Sequence, residues 1–595
     1  MSILELPYKQ KPLDVKNDDA LLKSNFFNSL PKELQDICRE KIFLLKYLYT
    51  LPVNEIGMPQ YHAKPDRKLG ELKQPNIIYP TNNGNFVHIL GDADDERNTY
   101  IPIEPDMGEN LEKLIEQIEQ RMLHHVHDLK DIVDDESKEQ AFLSVIDKIC
   151  TTNASEKVTP NGSKNGKNGK NGKGKGSSLF LYKLGIGEKE NNKVYCTPPQ
   201  LKAIKYLILR DKVGSGIIEP IVNDTYVEDV SCSGLGSIFI EHKIFHSVKT
   251  AVKFVDMDDL DHYVLRIAER VKKPVSMANP IADAVLPDGS RINIVYGKEL
   301  TKRGSNFTIR KFADVPLSIL ELIEFGSLNY QMAAYLSMVI GEGMNLFVSG
   351  ETASGKTTLL NAVTTFIPPN AKIVSIEDTP ELQVPHKNWL QEVVQSTKAE
   401  SGNEVTMFDL LKAALRQRPN EIIVGEIRGA EGAIAFQAMQ TGHAVMATFH
   451  AASVQKLIQR LTGNPINVPK TYVDCLNVVA IQSAVKLPNG KGGRRALSIN
   501  EIVGYDASSD AFSFLEIFKW DPIKDEFEFV GYQNSYLLEQ KIAVSRGIPP
   551  HQKRRIYSEL DKRAKILEKL HKERGITNFY ELLTTLSKAQ QQGLF

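Results

Sequence analysis

Four short apolar runs, separated by helical stretches, constrain the fold of the second half of the chain. They are MNLFVSG (344–350), KIVSIED (372–378), EIIVGE (421–426) and AVMATFH (444–450). Alternation of buried strands with helices is typical of a largely parallel sheet that helices cover. We therefore expect an α/β domain in this part of the chain.

Changes in composition divide the rest of the chain into further regions. Residues 161–178, NGSKNGKNGKNGKGKGSS, hold no apolar side chain to bury and predict a flexible low-complexity linker or insert. Its lysines fit a solvated spacer, with an anion-binding segment as the alternative. The expected organisation is as follows: 1–160, a mainly helical N-terminal region; 179–219, a connecting segment; 220–312, a small α+β domain; 313–334, a linker; 335–548, the α/β domain; 549–595, two amphipathic C-terminal helices broken at Gly575.

The bulk composition disfavours several classes of protein. Lys and Arg number 73 against 74 Asp and Glu, so no global charge favours nucleic acid or an anionic membrane as the main partner. The five cysteines form no CxxC pair, which excludes a four-thiolate zinc site and fits a reducing cytosol. No run of about 18 apolar residues and no signal-peptide pattern is present. We expect a cytoplasmic protein that reaches a membrane only through protein partners.

The first apolar run leads into a glycine-rich turn. Residues 350–357, GETASGKT, match GxxxxGK[ST] between a strand and a helix. Backbone N–H groups of such a turn curl around a β-phosphate, the helix that begins near Lys356 directs its positive end at that charge, and Lys356 reaches the β- and γ-phosphates. The hydroxyl of Thr357 binds Mg²⁺. The predicted site for ATP and Mg²⁺ comprises Gly350, Glu351, Thr352, Ala353, Ser354, Gly355, Lys356, Thr357 and Thr358.

A phosphate-binding turn needs an acid nearby if its ligand is to be hydrolysed. Glu426 ends the apolar run EIIVGE, at a strand end that opens onto the loop side of the sheet. Its carboxylate would orient and polarise the attacking water or hold a metal-bound water. The alternative is that Glu426 only caps the helix that follows.

Two polar clusters lie at the ends of other runs in the same domain. IEDTPEL places Glu377, Asp378 and Glu381 just after one strand, and TGHAVMATFHA places His443 before another strand and His450 at its end. Clustered acids bind Mg²⁺ through water or accept a proton, and a histidine near a γ-phosphate donates a hydrogen bond to it. The alternative is that these are ordinary polar groups at loop mouths.

Together, GETASGKTT, SIEDTPEL, RQRPNEIIVGEIRG and TGHAVMATFHA, in that order over about 100 residues, resemble the boxes of the secretion-ATPase superfamily. That superfamily drives type II and type IV secretion, type IV pili and archaella. The likeness extends from about Pro220 to the C-terminus. It is greatest to the archaeal branch, especially archaellum assembly ATPases, through KLIQRLTGNPINVPKTYVD, SINEIVGYD and NSYLLEQKIA. The resemblance implies a RecA-like P-loop ATPase domain preceded by a PAS-like α+β domain.

The resemblance also implies roles for single residues. Glu426 would activate water and approach Mg²⁺ directly or through water, and His450 would sense the γ-phosphate. Glu377, Asp378 and Glu381 would form an acid box.

In similar proteins the smaller domain supplies arginines to the nucleotide, matching Arg291 in LPDGSRINI and Arg310 in FTIRKF. A guanidinium on a mobile domain offers charge to the transition state only when that domain closes. Arg303, on the same segment, is a weaker candidate. The alternative is that these arginines are surface ion-pair partners.

Two departures from the family pattern affect these expectations. Relatives commonly have Pro-Asp where this chain has Pro419 and Asn420, but six residues of extended strand, roughly 20 Å, separate Asn420 from Glu426. The change should therefore cost little catalysis. The four-cysteine insertion of many bacterial type II relatives is missing, which favours the archaeal branch.

The resemblance implies a homo-hexameric ATPase that powers assembly, and in an archaellum also rotation, of a surface filament. Its partners would be a polytopic membrane platform protein and pilin-like or archaellin-like subunits, at the inner face of the cell membrane. An archaeal pilus or secretion ATPase is the alternative within the same class. Of the other classes, a nucleotide-gated interaction module without turnover is disfavoured by Glu426. A nucleic-acid translocase is disfavoured by the near-zero net charge and the lack of a basic-aromatic strip.

Overall fold

The computed structural model forms two compact units, Met1–Phe312 and Ala313–Phe595, here called the first and second unit. It describes residues 2–14, 18–92, 97–105, 109–125, 134–152, 193–312, 315–394, 405–488, 490 and 492–595. The predicted linker at 161–178 lies outside these ranges.

An eleven-stranded sheet organises the first unit, in the order β11-β12-β13-β8-β9-β10-β5-β4-β3-β2 with β1 paired to β10. Two short strands, β6 and β7, pair only with each other. The strands are β1 (Ser2–Leu4), β2 (Gln60–Tyr61), β3 (Asn76–Pro80), β4 (Phe86–Leu90), β5 (Thr99–Ile103), β6 (Cys150–Thr151), β7 (Val194–Tyr195), β8 (Val227–Cys232), β9 (Gly236–His242), β10 (His246–Phe254), β11 (Ile281–Val285), β12 (Arg291–Val295) and β13 (Asn306–Arg310).

Several helices of the first unit begin at capping side chains. The Asp256 carboxylate accepts hydrogen bonds from the N–H groups of Asp258 and Asp259, and Thr197 and Gln200 form a capping box. The helices are α1 (Asp18–Leu22), α2 (Asn25–Ser29), α3 (Lys32–Glu40), α4 (Ile42–Thr50), α5 (Val53–Ile56), α6 (Glu109–Met122), α7 (Asp135–Ile149), α8 (Pro198–Lys212), α9 (Glu219–Val222) and α10 (Met257–Arg270).

The N-terminal region contributes strands that its sequence did not reveal. We expected a mainly helical region apart from the α+β domain, whereas β5 pairs in parallel with β10 and carries β4, β3 and β2 on its far side. The hydroxyls of Tyr79 and Tyr100 also donate to the buried Asp224 carboxylate, at 2.6 and 3.0 Å. The strands β1 to β5 and β8 to β13 therefore form one sheet, because β10 pairs with β1 and β5, about 250 and 150 residues before it.

The second unit is built on a nine-stranded sheet in the order β16-β15-β17-β18-β14-β19-β20-β21-β22. The strands from β16 to β19 are parallel, and β20 to β22 extend the sheet as antiparallel hairpins. The strands are β14 (Leu346–Gly350), β15 (Ile373–Glu377), β16 (Trp389–Val393), β17 (Glu421–Ile427), β18 (Ala444–Phe449), β19 (Val478–Lys486), β20 (Gly492–Asp506), β21 (Ala511–Asp521) and β22 (Glu526–Glu528). The four predicted strands are confirmed as β14, β15, β17 and β18, and with them the α/β fold class.

Helices cover both faces of this sheet. Leu346 and Val348 of β14 face one hydrophobic core, and Phe347 between them faces another. The helices are α11 (Ile319–Glu324), α12 (Tyr330–Gly341), α13 (Lys356–Val363), α14 (Met407–Arg416), α15 (Glu431–Gln440), α16 (Val454–Thr462), α17 (Ala543–Ser545, which continues a π-helical turn at Leu537–Ile542), α18 (Arg555–Lys572) and α19 (Phe579–Gln591).

The N-terminal and C-terminal parts of the second unit can be compared with the domain boundaries expected from the sequence. Residues 313–334, expected as a linker, hold α11 and the start of α12, whose Ile319, Leu320 and Met332 are fully buried in the core. These residues are part of the second unit because their apolar side chains pack against its sheet. The two predicted C-terminal helices are confirmed as α18 and α19, and Gly575 between them has a left-handed φ of 64°.

Across the described ranges, no helix combines the length and the apolar character needed to cross a bilayer.

Candidate functional site

The parallel strands bring the predicted site residues to one edge of the sheet. β14 pairs with β18, β18 with β17, and β17 with β15, all in parallel. Their carboxyl ends therefore lie side by side, and Gly350, Glu377, Glu426 and His450 stand at or just after these ends.

Two other polar residues lie at the opposite edge. His443 precedes β18, so the length of that strand separates it from His450. Asn420 precedes β17, where its side-chain oxygen accepts a hydrogen bond from the N–H of Lys372 at 2.8 Å. His443 and Asn420 therefore have no place in the site.

The turn after β14 requires glycine at two positions. A Cβ on Gly350 would lie 2.0 Å from the carbonyl oxygen of Gln482, a distance that no side chain tolerates. Gly355 has a φ of 90°, in the left-handed region, and forms the N-cap of α13. The chain therefore passes close to β19 and turns directly into a helix that begins at Lys356.

The turn has the features of a phosphate cradle. The first N–H groups of α13 and the positive end of its dipole meet there, and both favour an anion. Ser354 Oγ is buried without a hydrogen-bond partner in the described part of the chain. Lys356 is only 8% exposed, and its ammonium donates to the carbonyl of Glu351 at 2.7 Å. These donors fit the phosphates of a nucleotide.

A β-bulge in β17 changes the direction in which the Glu426 side chain points. The register between β17 and β18 shifts between Val424 and Ile427, and such bulges commonly redirect a side chain next to a functional site. Glu426 Oε2 accepts a hydrogen bond from Arg428 Nη2 at 2.6 Å. Its Oε1 lies 2.9 Å from His450 Nε2, within ion-pair distance but outside hydrogen-bond geometry.

The charges around Glu426 keep its carboxylate ionised. Burial raises the pKa of the Glu426 carboxyl, but the hydrogen bond and charge of Arg428, with the charges of His450 and Lys356, bring that pKa below its ordinary value. Burial lowers the pKa of the His450 imidazole, and Lys356 and Arg428 lower it further against the opposing effect of Glu426. An anionic Glu426 therefore stands beside a neutral His450 near neutral pH.

Arg428 is a site residue that the sequence reasoning missed. Besides its hydrogen bond to Glu426, its Nη1 lies 3.8 Å from Asp378 Oδ2. It therefore links the acid of β17 to the acid box after β15. The signal in the sequence was its place two residues after Glu426 in EIIVGEIRG.

The three acids of the predicted box have different surroundings. Glu377 is 1% exposed, and its carboxylate accepts hydrogen bonds from the backbone N–H groups of Glu381 and Leu382 at 2.6 and 2.8 Å. Gln391 donates to its other oxygen at 3.0 Å. Glu377 therefore holds the loop that follows β15, whereas Asp378 is exposed near Arg428 and Glu381 is half-buried.

The oxygen groups at this edge are suited to Mg²⁺. In the described ranges no group of three or more His, Cys, Asp or Glu side chains forms a ready-made metal site. Mg²⁺ commonly binds through few protein ligands together with substrate phosphates and waters. The hydroxyl of Thr357 and the ionised carboxylate of Glu426 are hard oxygen ligands of that kind.

The two predicted arginines face each other in the first unit. Arg291 on β12 and Arg310 on β13 are direct cross-strand partners, and both are exposed. Like charges directly opposite on a sheet destabilise it. Arg310 also pairs across with Asp229, whose pKa burial raises and Arg310 lowers. Arg303 is exposed in the turn between the two strands.

Comparison with known proteins identifies relatives along most of the chain. The family described as "Type II/IV secretion system protein" matches residues 211–491. "Uncharacterized protein MJ0900" of Methanocaldococcus jannaschii is 42% identical over 562 residues, covering 94% of this chain and 97% of that protein. The type IV secretion system protein VirB11 of Bartonella quintana is 29% identical over 242 residues, covering 35% of this chain and 68% of that protein.

Among solved structures, the VirB11 ATPase from the Brucella suis type IV secretion system is 25% identical, covers 47% of this chain and 91% of its own, and has a TM-score of 0.25. The Legionella pneumophila ATPase DotB is 16% identical, covers 61% of this chain and 92% of its own, and has a TM-score of 0.37. With a 42% identical relative along nearly its whole length and the family match over residues 211–491, the chain belongs to the type II/IV secretion system protein family.

Proposed function

We propose that this chain is a Mg²⁺-dependent ATPase whose phosphate-binding turn is Gly350–Thr358 and whose water-activating acid is Glu426. The observation that carries the proposal is geometric: Glu426, near the end of β17, stands at the same edge of the parallel sheet as the turn that leads from β14 into Lys356. A turn that only bound a nucleotide would have no need of such an acid.

The residues of this edge divide the work of hydrolysis. Lys356 and the N–H groups of α13 hold the phosphates, and Glu426 orients the attacking water and accepts its proton. Arg428 fixes the carboxylate through its hydrogen bond, and the His450 imidazole would donate a hydrogen bond to the γ-phosphate. Thr357, and Glu426 directly or through water, would hold Mg²⁺, which would neutralise charge on the transferring phosphoryl group.

We place Arg291 and Arg310 in the same reaction, as a pair of guanidinium groups offered by the first unit. Because Arg291 and Arg310 are directly opposite on neighbouring strands, their two guanidinium groups would bind one multivalent anion together. In the proposed cycle, ATP binding brings Arg291 and Arg310 to the nucleotide, and hydrolysis and phosphate release let them leave it.

The proposed assembly is a homo-hexamer in which successive subunits turn this cycle into displacement. Sedimentation of the purified chain with and without a non-hydrolysable ATP analogue tests it. A six-chain species supports the ring, and a chain that stays monomeric with nucleotide contradicts it.

The proposed machine is an archaellum, assembled and rotated through a polytopic membrane platform protein with archaellin-like subunits as cargo. The chain would then work in the cytoplasm at the inner face of the cell membrane. Its branch-specific stretches, such as KLIQRLTGNPINVPKTYVD, support this reading. The similarity to VirB11, named as a type IV secretion protein, favours a pilus or secretion system as the second candidate. Loss of filaments and swimming in a deletion strain supports the first, and intact swimming contradicts it.

Two substitutions test the site itself. Lys356→Ala should abolish ATP binding, because it removes the cation that reaches the phosphates. Glu426→Gln should retain binding and lower kcat by about 10²-fold or more, because it removes the water-activating carboxylate. Phosphate release and nucleotide binding measure the two effects.

The matched controls are Lys519→Ala and Glu516→Gln, two exposed residues of β21 in the same unit. Both controls should hydrolyse ATP at the wild-type rate. Undiminished phosphate release from the Lys356 or Glu426 variant would refute the site, and wild-type protein that binds ATP without turnover would favour the gated interaction module.

A further inference from the structure

The hairpin of β19 and β20 extends past the phosphate-binding turn. β14 ends at Gly350, which pairs with Gln482, whereas β19 continues to Lys486 and pairs there with the start of β20. In the sheet order β17-β18-β14-β19-β20, this extension stands on the side of β14 away from Glu426 and His450. The turn therefore lies between the water-activating acid and the hairpin.

Arg494 on this hairpin contacts the turn directly. Its Nε donates a hydrogen bond to the carbonyl of Ala353 at 3.2 Å. Its Cδ packs so closely that a Cβ on Gly355 would lie 3.2 Å from it. The side chain is exposed, and its Nη1 and Nη2 make no hydrogen bond or ion pair within the described ranges. The guanidinium of Arg494 therefore lies against the turn, and its two NH₂ groups are available to donate hydrogen bonds to a ligand.

The neighbouring Arg495 is buried and makes structural contacts instead. Its side chain is 6% exposed, and Nε and Nη2 donate to the two carboxylate oxygens of Asp525 at 2.7 Å each. Its Nη1 donates to the carbonyl of Phe325 at 3.0 Å. Because successive residues of a strand point to opposite faces, Arg495 holds the fold together while Arg494 reaches the turn.

We propose that Arg494 binds the diphosphate part of the nucleotide, the part that hydrolysis does not transfer. This inference rests on the proposed ATPase function. Glu426 and His450 place the reacting γ-phosphate on their side of the turn, so a cation on the opposite side meets the α- and β-phosphates. A planar guanidinium fits phosphate oxygens through two parallel N–H bonds.

The position of Arg494 predicts a characteristic kinetic signature. ATP and ADP share the diphosphate, so Arg494 should stabilise both and contribute equally to the ground state and the transition state. Its loss should raise the Kd for ADP and the KM for ATP by on the order of tenfold and change kcat by less than about twofold.

Arg494→Ala, Arg494→Lys and the control Lys519→Ala test this in the full-length protein. A fluorescent ADP analogue reports binding, and phosphate release reports KM and kcat. Arg494→Lys should bind ADP with intermediate affinity, because lysine keeps the positive charge but lacks the paired N–H donors of the planar guanidinium. Lys519→Ala, which also removes one surface cation from the second unit, should match wild type.

Wild-type ADP affinity in Arg494→Ala would overturn the inference. So would a fall in kcat with unchanged KM, or failure of lysine to recover any affinity, since each indicates a role in shaping the turn. If wild-type protein neither binds nor hydrolyses ATP, the proposed function itself fails. If wild-type protein hydrolyses ATP and Lys356→Ala does not, the ATPase assignment stands whatever Arg494→Ala shows.

Discussion

At the scale of single residues, Glu426 keeps its charge in a half-buried position because cations surround it. Its side chain is 20% exposed, an environment that by itself favours the protonated acid. Arg428 reverses that preference through a 2.6 Å charge-assisted hydrogen bond. We therefore regard Arg428 as a positioning residue that holds Glu426 ionised and correctly oriented.

This environment predicts a pH dependence. A water-activating carboxylate works only above its pKa, and Arg428 lowers that pKa. Arg428→Gln should raise the pKa of Glu426, so the acid-side fall of kcat/KM should begin at a higher pH than in wild type. The measurement is kcat/KM for ATP hydrolysis across the acid range.

Arg574→Gln, a change at an exposed arginine beyond α18, is the control and should leave the profile in place. An Arg428→Gln profile that coincides with wild type, or moves toward lower pH, contradicts the role given to Arg428.

At the scale of elements, the loop after β15 is fixed from two directions. Glu377 receives the N–H groups of Glu381 and Leu382. Asn361 of α13 donates to the carbonyl of Glu381 at 3.1 Å and accepts from the N–H of Gln383 at 3.0 Å. The acid loop is therefore tied to the helix that carries Lys356. We therefore expect Glu377 to support the site by holding this loop.

Glu377→Gln should therefore destabilise the second unit. The amide oxygen can keep the N–H groups of Glu381 and Leu382, but these bonds lose their charge assistance and the amide NH₂ group faces the Nε2 donor of Gln391. We expect a loss of about 1–3 kcal/mol in the free energy of unfolding. The only two tryptophans of the sequence, Trp389 and Trp520, both lie in the second unit, so their fluorescence in urea reports its unfolding.

Glu516→Gln on β21 is the matched control for this measurement and should unfold at the wild-type urea concentration. Wild-type stability in Glu377→Gln, together with a large fall in kcat, would return Glu377 to a catalytic role.

At the scale of the whole molecule, the proposed cycle uses two arginines of the first unit. Arg291 and Arg310 form one cross-strand pair, and Asp229 is the acid that pairs with Arg310. Two guanidinium groups side by side on neighbouring strands suit the recognition of phosphate oxygens. We therefore expect these arginines to act on the chemical step more than on nucleotide binding.

Replacing both arginines by alanine should lower kcat by on the order of 10³-fold, as loss of an arginine finger does, while the Kd for ADP changes far less. Phosphate release and ADP binding measure the two effects. Lys298→Ala, at an exposed lysine just after β12, should behave as wild type. A double variant with wild-type kcat would assign the pair to a surface role.

Much of the second unit could be predicted from local patterns. β14, β15, β17 and β18 are buried on both faces and appear in the sequence as continuous apolar runs, and the glycine-rich turn is set by neighbouring residues. The N-terminal strands β3 to β5 pair locally as an antiparallel meander, but its union with the sheet of residues 227–310 could not be predicted because β5 pairs with β10, about 150 residues later. The hairpins from β19 to β22 were not predicted, because part of each long strand is buried on one face only. Its residues therefore do not form the continuous apolar run that marks a fully buried strand.

The sequence by itself determined that a strand, a glycine turn and a helix would form a phosphate cradle, and that an apolar strand would end in Glu426. These features depend on backbone sterics and on side-chain periodicity over a few residues. The tertiary structure decided which polar groups lie near the phosphate-binding turn. Arg428 contacts Glu426, Glu377 holds the loop that follows β15, and Arg494 contacts the turn from the side of β19. Those relations depend on strand order and on packing between distant segments, which no local pattern encodes.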